Sequence, residues 1–185
     1  MLMPMQDSIL YTQVFPSPAG DLLLGECEGA LCLCDWLINP SRREAMARRM
    51  RKGLHAVFQP GETPLLQEAC AQLHHYFEGD RQTFTLPLRL VGTPFQQEVW
   101  EVLRTIPYGK SCSYQTVARQ IGRPTAVRAV ANAIGANPLS LFIPCHRVIG
   151  QSGDLTGYAG GLEAKRSLLR LEGVLPLPDS FRITP

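Results

Sequence analysis

The chain has 185 residues, 45% of them apolar, and a mean hydropathy of −0.03. That length suits one large or two small domains with a sizeable core, and the composition is that of an ordinary globular protein. No apolar run approaches the roughly 18 residues needed to span a bilayer, and Met1 to Ser8 has no basic n-region, so the expected setting is cytoplasmic, or nuclear in a eukaryote.

Six cysteines (Cys27, Cys32, Cys34, Cys70, Cys112 and Cys145) are expected as reduced thiols in that setting, five of them as small buried hydrophobes. The net charge of +2 conceals an asymmetry. Val102 to Gly153 contains no Asp or Glu but holds Arg104, Lys110, Arg119, Arg123, Arg128 and Arg147, so the remainder sums to −4. A basic stretch in a mildly acidic chain is the footprint of a face that binds a polyanion.

Along the chain, Tyr11–Phe15, Asp21–Cys27 and Leu31–Trp36 read as short strands separated by Pro-Gly and Glu-Gly turns. Ser41–Lys52 is helix-prone and basic, expected as a solvated face. Pro64–Phe77 predicts a helix with Leu66, Ala69 and Leu73 on one side, stopped by Gly79-Asp80. Residues 81–92 read as a linker. Thr93-Pro94 with Gln96 is a capping box with Pro at the first helical position, and Phe95, Val99, Val102, Leu103 and Ile106 follow at helical spacing. Ser113 can cap a helix over Tyr114–Ile121; Gly122-Arg123-Pro124 turns the chain; Thr125–Ile134 is a second helix. This pair suggests a helix-turn-helix. The second helix is unusually rich in alanine, which either reflects helix propensity alone or allows close approach to a partner, with Arg128 as its one long side chain.

Leu141–Ile149 is apolar except for Pro144, Cys145, His146 and Arg147, and is expected to be strand-like with those groups buried or at a cleft floor. Ionisable groups placed there need partners, and a thiol beside an imidazole and a guanidinium is a candidate nucleophile. From spacing alone, a buried inert cysteine beside a core histidine fits equally well.

Pro144-Cys145-His146-Arg147-Val148 resembles the active-site signature of the O6-alkylguanine-DNA alkyltransferases, the methylated-DNA–protein-cysteine methyltransferase family. Gly92-Thr93-Pro94-Phe95-Gln96, Ile106-Pro107-Tyr108-Gly109, Ser113-Tyr114, Arg128-Ala129-Val130, Asn137-Pro138, Gly157-Tyr158-Ala159-Gly160-Gly161 and Glu172-Gly173 follow the family's order. The likeness is dense over residues 92–173 and loose before them.

The resemblance implies that Cys145 accepts an alkyl group from O6 of guanine, and O4 of thymine as well, irreversibly and once. His146 would act through a water as its base, Glu172 would orient His146, and Asn137 would brace the turn before the nucleophile. Tyr114 would assist the leaving guanine at N3, and Arg128 would fill the gap left by the flipped nucleotide. Val148, Tyr158, Ala159 and Gly160 would bind the alkylated base, and Ser113, Thr125, Ala126, Ala129 and Ala131 would face double-stranded DNA, the small-residue helix entering the minor groove.

The implied architecture is α+β: a ribonuclease-H-like domain over residues 1–85, with three antiparallel strands, a mostly helical DNA-binding and alkyltransferase domain over 86–175, and a tail over 176–185. A monomer needing no cofactor and no metal is expected. Cys27 and Cys32 lack a convincing third and fourth zinc ligand, and His74-His75 read as surface or packing residues. Gly109-Lys110-Ser111 is not a phosphate loop, because that motif needs a Gly where Arg104 stands. Two other readings share the residues: a cysteine hydrolase built on Cys145, His146 and Glu172, and a lesion-binding module without transfer.

Overall fold

The structure is a computed structural model and describes residues 7–176. The expected tail lies, beyond Pro176, outside the described residues, as does most of the Met1–Ser8 stretch. Strands β1 (Ser8–Phe15), β2 (Leu22–Cys27) and β3 (Ala30–Trp36) form an antiparallel meander. A fourth strand, β4 (Ala56–Pro60), runs parallel to β1, giving the order β3-β2-β1-β4. The expected three-stranded sheet is therefore corrected to four. β4 is short, has no clean alternation and ends in Pro60, so only its pairing with β1 across the intervening helix defines it.

Helix α1 (Pro40–Leu54) starts where the Asn39 side chain accepts from Arg42 N, and lays Met46, Met50 and Leu54 on one face of the sheet against Leu10, Cys32 and Leu33. The opposite face receives α2 (Pro64–Phe77) and the helices that follow, in one core joining Leu22, Leu24 and Trp36 to Leu66, Leu73, Val99, Trp100 and Leu103. Each fully buried aliphatic or aromatic side chain there contributes about 1.5–3 kcal/mol. Because β2 and β3 are covered on both faces, they are near-continuous apolar runs, Leu22-Leu23-Leu24 and Leu31–Trp36, rather than alternating ones.

Residues 81–92 are more than a linker. Leu31 N donates to Pro87 O, and Arg89 N to Leu31 O, both at 2.9 Å, so this segment is pinned to the outer edge of β3. The same edge holds residues 138–140 through Cys34 N to Pro138 O and Ser140 N to Cys34 O, both at 2.8 Å.

Helix α3 (Pro94–Arg104) begins with the expected capping box of Thr93 and Gln96. After β5 (Cys112–Ser113), α4 (Tyr114–Gln120) is capped by the Ser113 hydroxyl, and α5 (Val127–Gly135) packs on both α3 and α4. The apolar run expected to be strand-like is instead a turn at Leu139–Ile143, in which Leu141 holds φ 72°, then a 3-10 turn at Cys145–Arg147. Only the two-residue β6 (Val148–Ile149) is strand, paired with β5. Its apolarity reflects burial from all sides rather than a pleated face. Helix α6 (Gly161–Leu171) closes the described chain. The architecture is α+β, and no helix among the described residues is long and apolar enough to cross a membrane.

Candidate active site

The turn between α5 and Cys145 is fixed by one side chain. Asn137, 1% exposed, donates from Nδ2 to Ile143 O and accepts at Oδ1 from Leu139 N, both at 2.9 Å. The Leu139 amide, otherwise buried without a partner, is thereby satisfied, Ile143 O gains a second donor beside Cys145 N at 2.8 Å, and Cys145 is held at the floor of a pocket. That pocket is narrow and partly open to solvent, and is lined by Arg42, Ile134, Gly135, Asn137, Cys145, Gly157, Tyr158 and Ala159.

His146, next to Cys145, is fully buried, its Nε2 2.7 Å from Glu172 Oε1. Arg147 donates to both oxygens of Glu172, from Nε at 2.8 Å and Nη2 at 3.0 Å, and from Nη1 to Ile106 O. Tyr76 adds a fourth donor, its hydroxyl 2.7 Å from Glu172 Oε1. Burial would raise the Glu172 pKa, but the hydrogen bonds and charges of His146 and Arg147 outweigh it and bring it to about 2. Glu172 is therefore an anion at neutral pH. Burial depresses the His146 pKa despite Glu172, so the imidazole rests neutral; with Nε2–H directed at the carboxylate, Nδ1 is left as the basic nitrogen. Burial raises the Cys145 thiol, and the Asn137 amide, Arg42 and Lys165 pull it back only in part. The resting pair is thus a thiol beside a neutral imidazole, not a preformed ion pair.

Three residues from outside the recognised motifs, Arg42, Arg49 and Lys165, shape this site. Arg42 forks onto Asp35 from Nε and Nη2 at 3.0 to 3.1 Å, and donates to Gly135 O at 2.7 Å and Asn137 O at 3.1 Å, while Arg49 reaches Ala136 O at 2.7 Å. The last carbonyls of α5 are thus capped by cations from α1, where the helix dipole favours positive charge. The expected solvated face of α1 is corrected for these two arginines. Lys165 is fully buried, with Nζ donating to Val148 O at 2.6 Å and Thr156 O at 2.9 Å; burial lowers its pKa to about 8.

The structure brings Cys145, His146, Glu172, Asn137, Tyr158 and Ala159 together. Tyr158 is steadied by Trp36, whose Nε1 donates to its hydroxyl at 3.2 Å. Gly160 is not among the residues lining this pocket, and a Cβ there would lie 2.7 Å from the Trp36 ring, so its smallness serves packing against β3. The Val148 side chain is fully buried and its carbonyl is engaged by Lys165. Tyr114 sits across the 150s loop, its hydroxyl accepting from Thr156 Oγ1 at 3.2 Å. Ser113 Oγ caps α4 by accepting from Thr116 N.

On α5, Val130, Ala133 and Ile134 face the core while Arg128, Ala129 and Asn132 are exposed; Thr125 is exposed just before the helix, and Ala126 and Ala131 are half-buried. Within the acid-free window, Arg104 pairs with Glu101, Arg123 with Glu98, and Arg147 with Glu172. Lys110, Arg119 and Arg128 are exposed and have no ion-pair partner among the described residues. Cys27 and Cys32 are buried, and the one close trio of potential metal ligands among the described residues, His75, Glu78 and Asp80, is surface-exposed.

Sequence reading missed Arg42, Asp35, Tyr76, Lys165 and the pocket residues Ile134, Gly135 and Gly157. Lys165 carried a usable signal, a lone cation on the apolar side of α6 four residues before the buried Leu169. Tyr76 carried none, because its place on α2 is that of an ordinary core aromatic.

Comparison with known proteins agrees with this geometry. Residues 94–174 match the family described as 6-O-methylguanine DNA methyltransferase, DNA binding domain, and residues 10–90 match its ribonuclease-like domain. The chain is 39% identical over 166 residues to the methylated-DNA–protein-cysteine methyltransferase of Haemophilus influenzae, covering 89% of this chain and 87% of that one. It is 55% identical over 114 residues to the constitutive enzyme of that name from Bacillus subtilis, covering 61% and 69%. The crystal structure of Mycobacterium tuberculosis OGT in complex with DNA superposes with a TM-score of 0.75 at 43% identity, covering 88% of this chain and 92% of that one. These matches, which cover both halves of the chain, place it in the methylated-DNA–protein-cysteine methyltransferase family.

Proposed function

We propose that this protein repairs alkylated DNA by direct reversal, moving the alkyl group from O6 of a guanine onto Cys145. The observation that carries the reading is Cys145 at the floor of a narrow pocket, with the next residue, His146, 2.7 Å from Glu172. The relatives' names and the DNA complex of the mycobacterial protein support the same substrate.

In the reaction, the Cys145 thiol proton passes to His146 through a bridging water, and the sulfur attacks the alkyl carbon. The C–S bond forms as the C–O6 bond breaks, and the guanine leaves as an anion that takes a proton at N3 from the Tyr114 hydroxyl. Glu172 offsets the charge on the imidazolium. Tyr158 and Ala159 wall the base, and Asn137 keeps the thiol aimed. The product is a thioether, which water does not readily cleave, so each molecule acts once. O4-alkylthymine presents the same displacement and is a second substrate. The chemistry needs no cofactor or metal, only a reduced thiol, as kept in the cytoplasm or nucleus.

The target carbon is shielded inside a duplex, so the nucleotide must be extruded at a cost of a few kcal/mol. In this reading α4 and α5 act as a helix-turn-helix whose small residues (Ala126, Ala129 and Ala131, with Thr125) enter the minor groove beside Ser113, while Arg128 fills the vacated stack. The protein works as a monomer of two units, a ribonuclease-H-like one over residues 1–85 and a DNA-binding one over 86–175.

Intact mass after mixing with duplex DNA carrying one O6-methylguanine tests this directly. The expected result is a single gain of one methylene equivalent, mapped to Cys145 and absent in Cys145→Ser, which still binds DNA. Transfer retained by Cys145→Ser would place the acceptor elsewhere. Lesion-selective binding without any gain would leave a recognition module.

A further inference from the structure

Glu172 is held from both halves of the chain. Its Oε1 accepts from His146 Nε2 at 2.7 Å, from Arg147 Nη2 at 3.0 Å, and from the hydroxyl of Tyr76, 96 residues earlier on α2, at 2.7 Å. Tyr76 is fully buried, and its ring is fixed by Phe77, Phe84 and Tyr108 at centroid distances of 5.3, 5.5 and 6.2 Å. A phenol packed on that many sides has its hydroxyl direction set by the core. Burial, reinforced by the neighbouring carboxylate, pushes its pKa well up, so it remains a donor across the accessible pH range.

We infer that Tyr76 is a positioning residue for the Cys145–His146–Glu172 relay: its hydroxyl fixes Glu172 Oε1 and withdraws negative charge from it, setting the basicity of His146. The consequence for chemistry rests on the alkyl-transfer reading above. The electrostatic part does not.

Tyr76, His146 and Arg147 share one oxygen, Glu172 Oε1. Neutral His146 donates from Nε2, so its second proton arrives at Nδ1, which is buried with no protein hydrogen-bond partner among the described residues. How much that protonation is favoured depends on the negative charge left on Oε1, and every further donor to Oε1 reduces it. Arg147 on the 3-10 turn and Lys165 on α6 both oppose protonation of the imidazole. Cys145 adjoins it, the Tyr158 ring meets it edge-on at 6.5 Å, and Tyr108 faces the Arg147–Glu172 pair. Tyr76 belongs to this set as the member supplied by the N-terminal half of the chain.

Tyr76→Phe keeps the ring and removes only the hydroxyl. Nitrogen-15 NMR of the His146 imidazole in the full chain, identified by its loss in His146→Gln, should show its pKa rise by about half to one pH unit, a part of the roughly 1–2 units that a whole hydrogen bond to a charged group represents. If neutral His146 takes the thiol proton, the acid limb of the transfer rate from O6-methylguanine duplex moves to higher pH by the same amount. A purely structural role would lower stability and leave both pH profiles in place, and an unmoved His146 titration overturns the inference. A shifted titration in a protein that transfers nothing would sustain the coupling and overturn the repair reading instead. Should Tyr76→Phe fail to fold, 3-fluorotyrosine at position 76, a stronger donor of nearly the same shape, must move the His146 pKa downwards; no movement or a rise overturns the inference equally.

Discussion

Helix α1 carries five arginines and one lysine, against a single arginine on α5. Charge density alone would make α1 the helix that meets a polyanion. In the folded protein its inward arginines are committed elsewhere: Arg42 to Asp35 and two carbonyls, Arg49 to a third carbonyl and the face of Trp100. Arg128 on α5 stands exposed among small residues, with no ion-pair partner among the described residues. The difference teaches that a cation's role follows from the partners within its reach. The arginines of α1 hold α5 in place, and α5 presents the surface proposed to meet DNA.

The largest effect expected from this contrast is on stability. Arg42→Ala leaves Asp35, 4% exposed, without its cation and strips the Gly135 and Asn137 carbonyls of their donor. A loss of about 3 kcal/mol is expected in denaturant unfolding; a loss under about 1 kcal/mol would mean that the clamp contributes little. Arg128→Ala should do the reverse. Stability should stay within about 0.5 kcal/mol, while the slope of log affinity for duplex DNA against log salt should become shallower by about 1. Smallest is Arg48→Ala, which removes an exposed pair with Glu44. It should cost no more than about 0.5 kcal/mol and leave the salt slope alone. A slope change equal to that of Arg128→Ala would put α1 on the DNA and break the comparison.

What could be read directly from the sequence was local. Thr93-Pro94 with Gln96 announced the start of α3, and α2 was found end to end, because caps and helical periodicity act within a turn or two. Cys145 and His146 stood out because ionisable groups inside an apolar run need partners, and the resemblance supplied Glu172 and Asn137, which the structure brings beside them. The strand character expected over Leu141–Ile149 was misleading because continuous apolarity marks burial and not conformation. β4 was invisible because five residues with a terminal proline acquire strand geometry only from β1.

The sequence by itself determined helices α1 to α5 and the family, and marked Cys145 as a candidate, since each depends on neighbouring residues or on a contiguous motif. Only the tertiary structure decided that Arg42 belongs to the active-site turn, that Gly160 yields to Trp36, and that Tyr76 completes the shell of Glu172. Those contacts join residues 95 to 124 positions apart. A hydrogen bond acts over about 3 Å, so these pairings come into being only when the packing of the sheet against the helices sets the distance.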